Sequence, residues 1–219
     1  MQLELSSSTN LTDDLSDPFE EPIRSNRSSV AFVAQTNLPT ARGTLRVYAF
    51  RDLVDGTEPV VLQAGPARRE AVLVRVHDAC FTSETLGSHR CDCKEQLDGA
   101  LERIHREGGL VVYLQQEGRG IGLARKIAAY ALQECGLDTV DANRALGFPD
   151  DARRYDQAAD MLRYLNVESI RLMTNNPRKV VQLRAEGIPV VEQVPHHAES
   201  LSGEAAEYVQ TKRDRMGHS

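Results

Sequence analysis

No stretch of this 219-residue chain is apolar for long enough to cross a bilayer, and the N-terminus is polar where a secretory signal would be hydrophobic. These absences lead us to expect a cytoplasmic protein that does not enter a membrane. A basic excess is also lacking. The formal net charge is -6, which argues against a broad nucleic-acid surface. There is no internal repeat. Cysteine is sparse, with four in the chain, and in a reducing compartment clustered thiols favour metal over disulfide.

Much of the negative charge lies in residues 1–28, where six acidic side chains face two basic ones among Ser, Thr, Asn and few apolar residues. Such a segment buries too little surface to offset its ordering entropy, so it reads as a disordered tail. Residues 29–219 then read as one catalytic domain, with a polar C-terminal segment over 196–219. Short β-branched or aromatic runs predict strands over 30–34, 43–50, 60–63 and 71–77. Helical periodicity with a closing Gly-Gly predicts a helix over 95–107. A buried strand follows over 110–114, then helices over 123–135 and 156–165 and a strand over 169–174. Asn176-Pro177 caps a helix that Gly187 closes, before a last strand over 188–192. Strands first and alternating strands and helices later give an α+β, or mixed α/β, class.

Three of the four cysteines fall in Cys80-x10-Cys91-Asp-Cys93. Three thiolates can hold zinc and leave its fourth corner open, which reads as catalytic, whereas a fourth protein ligand would close the site as structural. On an extended segment Cys91 and Cys93 would point to one face. His77 and His89 are rival ligands that spacing alone leaves in play. Cys135, alone where a helix stops, reads as a small buried hydrophobe.

The turn Glu117-Gly-Arg-Gly-Ile-Gly122 lies between a strand and a helix, where glycines and free N–H groups suit an anion but also an ordinary turn. Tyr130 reads by periodicity as a core tyrosine. Asp150 and Asp151 precede a helix, where acidic residues commonly cap. Thr174, Asn175, Asn176 and Lys179 flank another helix start that could cap itself or receive phosphate oxygens.

Taken in order, Arg75-Val-His, Cys80-x10-Cys91-Asp-Cys93, Gln115-Gln-Glu-Gly-Arg-x-Ile-Gly122, Lys126-x3-Tyr130-Ala-Leu-Gln, Asp138-Thr-Val-x-Ala-Asn143, Leu146-Gly-Phe148 and Thr174-Asn-Asn-Pro-x-Lys179 resemble GTP cyclohydrolase II. The likeness runs from Leu38 to His218. It implies a homodimeric enzyme, dependent on zinc and magnesium, that opens riboflavin synthesis from GTP. Cys80, Cys91 and Cys93 would hold zinc, with water as the fourth ligand and C8 of guanine as the point of attack. Mg2+ would accompany the GTP phosphates. Arg75, Val76, His77, Asp78, Ala79, Gln96, Glu117, Gly118, Arg119, Thr139, Thr174 and Lys179 would bind GTP. Asp151 resembles the proton acceptor, Arg153 the nucleophile at the α-phosphate, and Tyr130 a tyrosine needed for the complete reaction. A guanidinium is normally protonated, so stabilisation of phosphate charge is an equal role for Arg153.

The chain departs from the family pattern around the metal. His-Ser-Glu-Cys becomes His77-Asp-Ala-Cys80, Thr-Gly-Asp becomes Thr82-Ser-Glu84, and Cys-Asp-Cys-Gly ends in Lys94. Ala79 deletes a carboxylate beside the first ligand, and Lys94 is expected to add a cation beside the last. These changes keep a further reading open, a paralogue with a partial reaction or another nucleotide or base substrate, such as the group linked to uracil catabolism. A third reading, a non-catalytic zinc- and nucleotide-binding protein, requires His77 or His89 to close the metal site.

Overall fold

The computed structural model describes residues 28–135, 147 and 151–196. The expected N-terminal tail up to residue 27, Thr139 and the segment from 197 onward lie outside the described residues. The strands are β1 (Val30–Thr40), β2 (Gly43–Asp52), β3 (Val60–Ala64), β4 (Val72–Asp78), β5 (Gly109–Leu114), β6 (Ile170–Met173) and β7 (Val190–Val194). The helices are α1 (Phe81–Glu84), α2 (Cys93–Glu107), α3 (Leu123–Glu134), α4 (Asp156–Tyr164) and α5 (Pro177–Ala185). Among the described residues no helix is long and apolar enough to cross a membrane.

One mixed sheet runs β1-β2-β3-β5-β4-β6-β7. β1 to β3 pair antiparallel with one another and with β5, while β5, β4, β6 and β7 run parallel. β1 is longer than its sequence suggested and contains Pro39. It is an edge strand, where a residue without an N–H can deprive no neighbour of a hydrogen bond.

The parallel strands alternate apolar side chains to both faces, as a doubly covered sheet requires. Val72, Val74 and Val76 of β4 join the cluster formed with Ala158, Met161 and Leu162 of α4 and Val180 and Leu183 of α5. Leu73 and Val111 turn the other way, onto Ala100 and Ile104 of α2. Complete burial of a side chain such as Ile104 contributes about 2 kcal/mol. β4 therefore lies between one helical layer and the other, and the chain crosses over it between β5 and β6. Ligands bind at such reversals of strand order, beyond the carboxyl ends of the strands.

Candidate functional site

Beyond the end of β4 the chain turns directly into Ala79 and Cys80. Cys80 opens α1, a single turn held by hydrogen bonds from Ser83 and Glu84 N–H to its carbonyl. The Cys80, Cys91 and Cys93 sulfurs all lie within 4.8 Å of one another, and this group includes neither histidine. Cys80 Sγ and Cys91 Sγ are 3.6 Å apart. That is far beyond a disulfide bond and close to the roughly 3.8 Å separating two sulfurs bound tetrahedrally to one zinc. The donor set therefore fits a metal that takes thiolates. The geometry is not the extended one expected: Asp92 is the N-cap of α2 and Cys93 its first residue.

The rival ligands have other positions. His77 is buried, and its Nε2 lies 3.0 Å from Glu84 Oε1. Burial lowers the pKa of His77 despite that carboxylate. His89 is exposed. Glu84 is a hub that the sequence did not single out as one: it accepts hydrogen bonds from Cys80 N–H at 2.8 Å and from the Tyr113 hydroxyl at 2.7 Å. Lys94 is also not where it was expected. Its ammonium pairs with Asp98 at 2.6 Å one helical turn on, in water, while its backbone N–H donates to buried Ser83 Oγ. Cys135 is exposed, not buried.

The Glu117–Gly120 segment forms a 3-10 turn in which Gly118 and Arg119 both have φ of 62°. Arg119 is in a left-handed conformation that costs a residue with a Cβ about 1–2 kcal/mol. At Gly120 any Cβ would stand 2.9 Å from the Ala152 carbonyl, so the turn and the Asp151–Arg154 segment fit only without one. Gln116 joins the same two segments by reciprocal bonds, donating to Arg154 O at 2.6 Å and accepting from Arg154 N–H at 2.7 Å. No motif marked Gln116 for this role. Glu117 Oε2 accepts from Phe81 N–H, and its Oε1 accepts from Gly118 N–H and from the Lys126 ammonium. A carboxylate has about four lone-pair sites, and among the described residues these bonds fill three of them. Tyr130 is half-buried, with the Arg90 guanidinium 4.7 Å and Lys126 Nζ 5.9 Å from its ring centroid. It is not a core tyrosine.

On the other face of the β4 end, cations gather. Lys179 Nζ and Arg153 Nη1 each lie 2.8 Å from Asp78 Oδ2. Arg153 also forms a fork with Asp151, which is the partner of this arginine and not a helix cap; α4 starts later, with Tyr155 as N-cap. Burial opposes the charges, but paired partners outweigh it: Asp78 and Asp151 are held below the usual carboxylate range and Arg153 is pushed well above its ordinary value. Burial dominates at Lys179, with Arg75 and Arg153 adding to it, and brings its pKa down to about 8. Arg75 donates to Met173 O and to Gln96 Oε1, and Gln96 in turn donates to Asp92 between the metal-competent cysteines. Thr174 Oγ1 accepts from Asn176 N–H, and Asn176 caps α5 through Arg178 N–H. Val76 contributes its carbonyl, which accepts from Lys179 Nζ.

Three convergent thiols able to hold a metal, a glycine-rich turn and buried cations meet at the carboxyl ends of the parallel strands, an arrangement of the kind metal-dependent hydrolases use. The chain belongs to the GTP cyclohydrolase II family, whose model matches residues 31–195. It is 50% identical to riboflavin biosynthesis protein RibBA of Bacillus subtilis (strain 168) over 83% of this chain and 46% of that protein. It is also 50% identical to the GTP cyclohydrolase-2 of Pseudomonas putida (strain W619), over 86% of this chain and 93% of that one. With the GTP cyclohydrolase-2 of Tolumonas auensis (strain DSM 9187 / NBRC 110442 / TA 4) the identity is 48%, over 87% and 98%. The chain spans about half the length of the RibBA proteins it matches.

Proposed function

We propose that this protein hydrolyses GTP, opening the guanine imidazole ring at C8 and releasing formate and pyrophosphate to give 2,5-diamino-6-(5-phosphoribosylamino)pyrimidin-4(3H)-one, the first step of riboflavin biosynthesis. The observation that carries this reading is the meeting, at the end of β4, of a three-thiol group with buried Arg75 and Lys179, in a chain of this family. Zinc on Cys80, Cys91 and Cys93, when bound, supplies Lewis-acid activation of water near neutral pH.

The chain's own residues do the rest. Glu117 reads the guanine edge at the turn formed with Gly118 and Arg119. Arg75, Lys179 and Thr174 face the phosphates, which enter with Mg2+; Gln96 orients Arg75 through their hydrogen bond. Asp151 is ionised and accepts a proton. Arg153, held charged by Asp151 and Asp78, stabilises charge at the α-phosphate as a cation. A guanidinium held in that state makes a poor nucleophile. Tyr130 stands next to Lys126 on the metal side. Residues 29–219 form the catalytic domain of a cytoplasmic homodimer in this proposal.

One observation favours a second reading, a partial reaction or a different nucleotide. The Asp78 carboxylate already occupies Lys179 and Arg153, so fewer positive charges remain for phosphates. Mass spectrometry of the products formed from GTP and Mg2+ separates the two. Formate with the diaminopyrimidinone supports ring opening to completion; a formylated or merely dephosphorylated product supports a partial reaction; intact GTP refutes both of these and leaves only a different nucleotide as substrate.

A further inference from the structure

Lys126 carries no role in the reading above, yet it joins the two halves of the site. It projects from α3, is 13% exposed in its side chain, and reaches Cys80 Sγ at 3.0 Å, Thr82 Oγ1 at 2.9 Å and Glu117 Oε1 at 2.7 Å. An ammonium has three N–H donors, and each has one acceptor here. Those acceptors come from two segments: Cys80 and Thr82 from the turn after β4, and Glu117 from the turn after β5. Glu117 Oε2 completes the join by accepting from Phe81 N–H at 2.6 Å.

The charge matters as much as the geometry. Three thiolates around a dication leave a net negative centre, in surroundings that already hold Glu84 and Glu117. A half-buried cation against one sulfur offsets that excess, and a donor to the sulfur fixes the direction of its lone pairs. We infer that Lys126 is a positioning residue, which holds the Cys80 thiolate for the metal and the Glu117 carboxylate for the base at once. The part concerning the base rests on the proposed GTP reaction; the part concerning the metal does not.

Lys126→Met keeps the length of the stem and removes both the charge and the donors. Zinc affinity is read by competition with a chromophoric chelator, without any substrate. Groups that orient metal ligands change affinity by about 10–100-fold when removed, and a loss of that size is expected. In zinc-saturated K126M the KM for GTP rises more than kcat falls, because Glu117 loses its anchor. Should K126M fail to fold, Lys126→Gln, which keeps donors without charge, carries the same test and the same expected loss of zinc affinity. A folded variant that binds zinc within twofold of the parent protein overturns the inference. If the parent protein proves inert toward GTP, the functional proposal fails, and the chelator competition still decides the role of Lys126.

Discussion

Lys179 loses its charge within an accessible pH range. Its ammonium is buried against the Tyr155 ring, beside Arg75 and Arg153, with Asp78 as its counter-ion. Burial brings its pKa down from 10.5 to about 8. A group with that pKa is about half charged at pH 8, about one-tenth at pH 9 and about one-hundredth at pH 10. If the charge holds a phosphate, kcat/KM, which reports the free enzyme, falls about tenfold per pH unit above 8. Stability responds with the opposite sign. Below pH 8 the folded state bears the cost of a buried charge. Between 8 and 10.5 the unfolded chain binds the extra proton, so the contribution of this group to stability rises with pH. The assay is a kcat/KM profile from pH 6.5 to 10 for the parent protein and for Lys179→Arg, whose guanidinium does not titrate there. The arginine variant should lack the break. A flat parent profile, or the same break in folded Lys179→Arg, refutes the reasoning.

Two further perturbations probe the groups around that lysine. Asp78→Asn leaves Lys179 and Arg153 without their shared carboxylate, which should cost about 3 kcal/mol in urea unfolding, the order expected on breaking a buried pair. It should also move the kcat/KM break below pH 8, because the charge that raises the pKa of Lys179 is gone; a break that moves up contradicts this. Gly120→Ala places a methyl 2.9 Å from Ala152 O at a φ of +89°. A cost of about 1–3 kcal/mol should appear as a lower Tm, and kcat should fall with zinc content unchanged, as Asp151 and Arg153 are displaced. Unchanged kcat would mean that this contact does not set the position of the Asp151–Arg153 segment.

The regular elements were legible because each rests on a local pattern. β3 and β5 are alternating or continuous apolar runs, and α5 starts where Asn176-Pro177 announces it. The four-residue α1 was not, since a single turn, closed by bonds from Ser83 and Glu84 N–H to the Cys80 carbonyl and from Thr85 N–H to that of Phe81, is too short to leave a periodic pattern. The expectation that Cys91 and Cys93 share a strand face assumed an extended segment, whereas a helix begins at Cys93 and convergence is achieved by the turn itself. Lys94 looked like part of the metal surroundings because of its place in the chain. Its side chain follows the helix surface to Asp98, an i,i+4 neighbour in water. Lys126 lies 46 positions from Cys80 and Tyr113 lies 29 from Glu84. Such pairs come from the packing of α3 and β5 beside the β4 end, which periodicity cannot report.

The central claim is that the Cys80, Cys91 and Cys93 group is the seat of GTP ring opening. Formate released per minute from saturating GTP and Mg2+ should be measured against zinc content, from metal-free to one zinc per chain. The account predicts a straight line through zero and no formate from Cys91→Ser at any zinc supply. Formate from rigorously metal-free protein, or none from fully loaded protein, would contradict it.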